Sequence, residues 1–421
     1  MKILSQDDRR VTKSAVTRCT PFKVCMHVRG VVRTDGRVMR AAMALIEAGF
    51  TVIILDIEDD PTRPIEEDIG GVHVKHIVKP GWLKHIHFGP LRLIKSAQKL
   101  VYTTLHLIRM PADIYHAHDD NALAACYIAA RWHRKPLVFD AHEFPLIALK
   151  DRRWLRMLLT SLFTQMVRSC AGVITVSSPI AQEICNLYHV QHVSLIRNLP
   201  VYQAPSKNDR LQQFLGLNSN VRIALYQGNI DPKRGLDKLI HAAKFLDRDI
   251  VIVMMGKGVG VTPSQLNSLI ICEGVSDRVK ILPPVPYAEL LDWTASADIG
   301  LNVLPPDYSF SIRMCLPNKF FEYLMAGLPV LSSQLPAVAE VINTYDVGCI
   351  VPSLEPEDIG AAINAMLANH IALARMRYSA LNAVRQDLYW EKESQHLVHL
   401  YLKILARREG ETSDLHSAIT I

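Results

Sequence analysis

From residue 22 onward, short apolar runs alternate with longer stretches in which apolar positions recur every three or four residues. FKVCMHV (22–28) reads as a strand, and GRVMRAAMALIEAG (36–49) as a helix whose Gly49 takes the left-handed position just past its end. TVIILD (51–56) and the more exposed GVHVKHIV (71–78) follow as strands. DIYHAH (113–118), a helix over 121–133, PLVFDAH (136–142), a helix over 151–169 and GVITVSS (172–178) continue the rhythm. Strands that are apolar almost throughout, separated by helices, describe a parallel sheet covered on both faces. The polar stretch APSKNDRLQQFLGLNSN (204–220) interrupts the pattern. It restarts with RIALYQG (222–228), a helix over 235–247, IVIVMMG (250–256), KILPPV (280–285), a helix over 287–296, IGLNVLP (299–305), a helix over 319–326 and PVLSS (329–333).

The fold class expected is α/β, with two doubly wound Rossmann-like domains facing across a cleft. The boundaries predicted are a flexible segment over 1–20, an N-terminal domain over 21–198, a linker over 199–220 and a C-terminal domain over 221–385. A last helix over 386–405 packs back toward the N-terminal domain, and 406–421 is a tail. In such sheets ligands sit beyond the carboxyl ends of the strands, and two cleft walls suit a reaction between two separate substrates.

Composition narrows the classes. A chain of 421 residues exceeds one ordinary core, and 49% hydrophobic with 21% charged residues excludes a disordered chain. The 47 Lys+Arg against 41 Asp+Glu leave +6, which suits acidic ligands or an anionic membrane surface and does not point to nucleic acid. No apolar run reaches the roughly 18 residues of a membrane span, and MKILSQDDRRVTKS lacks a signal-peptide core. The expected location is therefore cytoplasmic, the inner face of the membrane included. The 8 cysteines form no CxxC pair and read as reduced core thiols.

In LPNKFFEYLMAGLPVLSS (316–333), Pro317 and Asn318 form a loop and cap ahead of a short helix that Gly327 stops. A helix N-terminus beside Lys319 suits an anion, and Glu322, one turn in, can accept hydrogen bonds from a sugar diol. An ordinary capped helix with a solvated Glu and Lys fits the same residues. QGNIDPKRGLDKLIHA (227–242) is a second phosphate candidate: Gly228 ends a strand, and Lys233 and Arg234 precede Gly235 at a helix start. MGKGVG (255–260), with Gly256, is a weaker third. HAHDDNA (116–122) puts His116 and His118 on one face of a strand end, where a substrate-orienting or proton-handling role is favoured over a metal. DAHEF (140–144) adds Asp140, His142 and Glu143. The acidic run DIEDDP (56–61) reads as a solvated loop. No G-x-G-x-x-G follows the first strand, and P-loop, kinase and G-x-S-x-G signatures are absent.

DIYHAHDDNALAA, PLVFDAHEF, AGVITVSSPIAQEI, LYQGNIDPKRGLDKLIHA and LPNKFFEYLMAGLPVLSS, in this order and spacing, resemble the family-4 retaining glycosyltransferases of the GT-B fold, the group 1 type. The likeness runs from about residue 22 to 400. It implies a metal-independent hexosyltransferase that moves a sugar from a nucleoside-diphosphate sugar to a cytoplasm-facing glycan or lipid-linked acceptor, in polysaccharide or glycolipid biosynthesis. No cofactor beyond that co-substrate and no nucleic acid are implied. By the same resemblance the C-terminal domain binds the donor through Gly228, Asn229, Lys233, Gly256, Pro317, Asn318 and Glu322, the last on the donor ribose. His118, Arg234 and Lys319 are the catalytic groups, and Arg33, Asp35, Gly36, His116, His142 and Glu143 line the acceptor side. The family's phosphate-binding arginine falls on Asn229 and its first glutamate on Met314, so both are lost here. The rivals are a GT-B nucleotide-sugar epimerase or phosphorylase, and a non-catalytic nucleotide-sugar-binding protein.

LKDRRWLRMLLTSLFTQMVR (149–168) adds one expectation, attachment to an anionic bilayer by a basic amphipathic helix. Trp154, Leu155, Met157, Leu158, Leu159, Leu162, Phe163 and Met166 supply its apolar face, and Lys150, Arg152, Arg153, Arg156 and Arg168 its charge.

Overall fold

A computed structural model describes residues 20–419 except 59, 61, 79–88, 145–152, 261 and 308. Nearly all of the 1–20 segment therefore lies outside the described residues. The chain forms two compact units, Met1–Ile196 with Ser394–Ile421, and Arg197–Glu393.

The first unit is built on β1 (Lys23–His27), α1 (Gly36–Glu47), β2 (Thr51–Glu58), β3 (Glu66–Ile69), β4 (Val72–Val78) and α2 (Gly89–Ile108). β5 (Ile114–His118), α3 (Asp120–His133), β6 (Leu137–Ala141), α4 (Arg153–Arg168), β7 (Gly172–Thr175), α5 (Ser178–Tyr188) and β8 (Ser194–Leu195) follow. Its sheet runs β3-β4-β2-β1-β5-β6-β7-β8, parallel except for the antiparallel β3–β4 pair. Every residue of β5 and β6 is buried, as expected for strands covered on both faces. Asp35 starts α1 by accepting from the N–H groups of Arg37 and Val38, and Gly49 follows the helix end at φ 89°.

The second unit holds α6 (Arg210–Leu215), β9 (Arg222–Gln227), α7 (Leu236–Ala242), β10 (Ile250–Met255), α8 (Thr262–Cys272), β11 (Val279–Leu282) and α9 (Leu290–Ala295). It continues with β12 (Ile299–Asn302), α10 (Phe310–Met314), α11 (Asn318–Met325), β13 (Val330–Ser332), α12 (Pro336–Tyr345), β14 (Gly348–Ile350), α13 (Pro356–Ala368) and α14 (His370–Gln386). The sheet order is β11-β10-β9-β12-β13-β14, all parallel. The order in which strands are added reverses between β1 and β5 in one unit and between β9 and β12 in the other, and such switch points are where open α/β sheets bind ligands.

Several segments differ from the sequence reading. Residues 199–220 carry α6, and Leu199 and Leu211 are buried in the second unit's core, so this polar stretch packs rather than bridges. The last helix, α15, spans Trp390–Ile419 and so includes most of the residues read as a tail. Within the first unit, the Leu400 and Ile404 side chains of α15 pack against Gly172. DIEDDP begins inside a strand: Asp56 and Glu58 are buried at the end of β2. Phe163 and Val167 of α4 belong to the core, with Phe163 packed on Phe139 and Tyr188, whereas Met157 and Leu162 are exposed. The side chains of Trp154, Leu155 and Leu158 lie outside the described residues. Among the described residues no helix is long and apolar enough to cross a membrane.

Candidate functional site

In the first unit, charged and imidazole groups converge at the carboxyl ends of β1, β5 and β6. Arg37, buried on α1, forks onto Asp140 at the end of β6 through two hydrogen bonds of 2.9 and 2.8 Å, and its third nitrogen donates to the Ile196 carbonyl at 2.9 Å. Burial opposes charge on Asp140, yet Arg37 and His142 hold its carboxyl well below the usual range. His118 Nδ1 lies 3.5 Å from Asp140 and 3.2 Å from His142 Nε2. His142 completes the cluster with its Nε2 3.5 Å from Asp140 and its Nδ1 3.4 Å from Asp119.

Burial separates these histidines. Desolvation lowers the pKa of His118 despite Asp140, and lowers that of His116 well below its ordinary value, with His118 adding to the effect. For His142 desolvation is outweighed by Asp140 and Asp119, and its pKa is raised. His142 also reaches solvent, with 16% of its side chain exposed against 0% for His118.

Two expectations are corrected here. His118, read as facing the cleft, is fully buried behind His142, because its strand is covered on both faces. His116, read as an acceptor-side group, is a core residue whose Nδ1 meets the Tyr401 hydroxyl at 2.7 Å. Ligand atoms of His116, His118 and Asp140 lie within 4.8 Å of one another. Arg37 already occupies both Asp140 oxygens, so this trio offers a cation no free carboxylate. Of the loop residues, Arg33 pairs with Glu67, Asp35 caps α1, Gly36 opens that helix and Glu143 is exposed.

Sequence reading missed a second network behind the same loop. Asp56 accepts the Val32 N–H at 2.9 Å and meets His76 Nδ1 at 2.5 Å, while His76 Nε2 meets Glu67 at 2.8 Å. The alternating pattern of β4 hints at a half-buried strand. It does not reveal that His76 points inward between two carboxylates.

In the second unit the groups gather around the ends of β9 and β12. Gln227 is the organiser: its side-chain N–H donates to Glu322 at 2.6 Å, its side-chain oxygen accepts from Thr294 at 2.7 Å, and its backbone N–H donates to the Tyr323 hydroxyl at 2.8 Å. Glu322 is half-buried in α11, held rather than free to swing. Tyr323 lies over Gly300 so closely that a Cβ there would stand 2.4 Å from its ring.

The loops after β9 and β10 are laced together through Ile230 N–H to Lys257 O at 2.9 Å and Val259 N–H to Ile230 O at 3.0 Å. A Cβ on Gly256 would lie 1.7 Å from the Gly228 oxygen, and Gly228 itself has φ 126°. The MGKGVG glycines thus allow two loops to approach. Arg234 ends a 3₁₀ turn, Pro232–Arg234, started by Asp231. Lys319 is buried rather than solvated, with its ammonium 3.9 Å from the centre of the Tyr226 ring. Burial and then the nearby Arg234 push its pKa well down. Among the described residues no carboxylate forms an ion pair with Arg234 or Lys319. Lys233 and Asn229 are exposed, Asn318 accepts a hydrogen bond from Asn198 at 2.9 Å, and Pro317 is the half-buried residue ahead of α11. Met314 is the last residue of α10.

Comparison with known proteins covers both units. Residues 207–383 match the family described as glycosyl transferases group 1, and residues 36–199 match glycosyltransferase family 4. The chain is 26% identical over 345 residues to D-inositol 3-phosphate glycosyltransferase of Streptosporangium roseum, covering 76% of this chain and 77% of that protein. Among solved structures, sucrose-phosphate synthase from Thermosynechococcus elongatus superposes with a TM-score of 0.72 at 15% identity, over 92% of this chain and 100% of that one. Anabaena HepE in complex with UDP and glucose gives a TM-score of 0.67 at 15% identity, over 90% and 98%.

Proposed function

Because the chain belongs to the group 1, family-4 glycosyltransferases and has the GT-B fold, we propose that it transfers a hexose from a nucleoside-diphosphate sugar with retention of configuration and without a metal ion. The acceptor proposed is a cytoplasm-facing glycan or lipid-linked sugar in polysaccharide or glycolipid assembly. The observation that carries this reading is the second unit's pair of cations without carboxylate partners, Arg234 and Lys319, close to a carboxylate that Gln227 holds in place. A buried ammonium without a counter-ion is costly. An incoming diphosphate supplies the missing anion, while Glu322 accepts from the ribose hydroxyls.

Transfer then proceeds by front-face attack. A donor phosphate oxygen takes the acceptor's proton as the bond to the leaving diphosphate breaks, and Arg234 and Lys319 stabilise the charge that develops there. In the first unit the role first read onto His118 passes to His142, the partly exposed member of that cluster, with His118, Asp140 and Arg37 behind it. HepE with UDP and glucose, and the sugar-phosphate and inositol-phosphate enzymes, support a nucleotide-sugar donor.

The membrane reading is retained on a broader surface. Helices α2, α3 and α4 together contain seven Lys or Arg (Arg92, Lys95, Lys99, Arg131, Arg153, Arg156, Arg168) against Asp120 alone. Val101, Tyr102, Leu105, Trp132, Met157 and Leu162 on these helices are exposed. Exposed apolar side chains on helices this rich in Lys and Arg suit anionic lipid. Vesicles containing phosphatidylglycerol should carry the protein upward on flotation and release it in salt; no binding at low salt would remove this part.

Calorimetry with uridine, UMP and UDP, and with the guanosine series, tests the donor site. Affinity should climb steeply with each phosphate in one of the two series and stay unchanged in EDTA. Glu322→Gln should weaken nucleoside binding by about 1–3 kcal/mol, the range for a lost charged hydrogen bond. A flat series, or a strict need for Mg²⁺, would refute the proposal.

A further inference from the structure

Asp119, between β5 and α3, has a backbone that its residue type rarely adopts. Its φ of 64° and ψ of 166° fall in a region populated almost only by glycine. Among the described residues the other non-glycine ones with positive φ are Arg134, His189 and Asp346. All have φ of 52–53° and ψ of 42–51°, the left-handed turn usual just past a helix end. Asp119 stands instead at a helix start and follows a different rule.

A second departure sits in its side chain. An aspartate at the N-cap ordinarily turns its carboxylate onto the helix's own N–H groups. Asp119 is the N-cap of α3 and makes no such bond. Its carboxylate points across to the end of β6, where Oδ1 accepts the His142 backbone N–H at 3.1 Å and Oδ2 lies 3.4 Å from His142 Nδ1. Its own N–H donates to the Asp140 carbonyl at 2.9 Å. The residue thus forgoes both a relaxed backbone and a helix cap, and both departures serve one neighbour.

We propose that Asp119 is a positioning residue for sugar transfer, its strained backbone aiming the carboxylate so that it fixes the orientation and protonation of His142. This rests on the reading that His142 works in transfer. His142 faces Asp119 on one side and His118 with Asp140 on the other, and Arg37 stands behind Asp140. The two carboxylates favour the protonated ring, against Arg37 and the burial of the site. Without Asp119 the ring keeps one carboxylate neighbour, and its backbone N–H loses its acceptor.

Asp119→Gly, Asp119→Ala and Asp119→Asn, made in the full chain, separate strain from function. Glycine relieves the backbone and alanine does not, so Asp119→Gly should melt several degrees above Asp119→Ala. Both lack the carboxylate, so both should lose tenfold or more in kcat, read as nucleoside diphosphate released from UDP-glucose or GDP-mannose, with donor KM changed less than twofold. Asp119→Asn keeps an acceptor for the backbone N–H and should retain more kcat than either. In all three the NMR titration of the His142 ring should move to lower pH than in the wild type.

Activity that follows melting temperature across the variants would mark Asp119 as merely structural and overturn the proposal, as would an unmoved His142 titration. No turnover by the wild type would defeat the transferase reading instead. The melting order and the titration would still report on Asp119.

Discussion

The two units solve the problem of buried polarity in opposite ways. Among the described residues the first unit buries four histidines, His27, His76, His116 and His118, together with Arg37, Asp56, Glu58 and Asp140. Arg37 is forked onto Asp140, and His76 lies between Asp56 and Glu67, so charge there is largely balanced from within. Among the described residues the second unit buries no histidine. Its described polar core is amide and hydroxyl, with Lys319 and the Arg197-paired Glu393 as the only chargeable groups buried among those residues. A closed network costs nothing further to keep empty, whereas an unbalanced ammonium waits for an anion. The contrast agrees with the proposed function, in which the first unit orients and handles protons and the second captures phosphate.

The sharpest way to break that contrast is to open the closed network. Arg37→Met should cost about 3–5 kcal/mol by denaturant unfolding, because it strands the buried Asp140 carboxylate. A loss under 1 kcal/mol would show that the network is not balanced by Arg37.

Acid provides the next test. His27 is buried with its pKa lowered to about 4, and His116 and His118 are lowered too. The unfolded chain takes up these protons near pH 6.5 and the folded chain does not, so stability is present above about pH 6.5 and falls as pH drops toward 4. His142, raised in the fold, works the other way: its contribution is full below pH 6.5 and is lost as pH rises through its folded value. The net loss on acidification should amount to a few kcal/mol, measured as denaturant midpoints from pH 7 to 4.5. A flat profile would mean that the buried histidines do not stay neutral.

The smallest effect carries the opposite sign. Lys319→Met should leave the empty protein as stable or more stable by up to about 1 kcal/mol, since it removes a buried cation that has no carboxylate partner. The same change should flatten the gain in affinity from nucleoside to diphosphate. Lower stability with an intact phosphate gain would reverse the roles assigned to the two units.

How much of this was legible in the sequence depends on what each residue answers to. β10, IVIVMM, is buried throughout, and an apolar run bounded by glycine announces that directly. Motif order singles out Glu322 and Arg234, and a strand end singles out Gly256; the structure adds their surroundings, and their roles belong to the proposal. His118 was misplaced because an i, i+2 pair shows a shared face without showing that this face is covered. Asp56 looked solvated because DIEDDP is acidic, yet its carboxylate holds a loop N–H and a buried imidazole from β4. The antiparallel β3, EEDI, gave no strand signal at all: it is a charged edge strand, half exposed. The backbone of Asp119 is invisible to any reading of side-chain type, since only assembled neighbours hold it there.

The Tyr401 hydroxyl on His116 spans 285 residues of chain. The second unit, Arg197–Glu393, is thus an insertion made before the first has its last helix. On a ribosome adding roughly 5–20 residues per second, the interval between Ile196 and Ser394 lasts roughly 10–40 s. Throughout that time the nascent first unit has an apolar face at Gly172 and Phe50 uncovered by Leu400, Ile404 and Tyr401, and a buried imidazole without its phenol. A first unit cut short before residue 394 lacks the turn of α15 from Leu400 to Ile404, and that single turn is what covers this face and supplies the phenol.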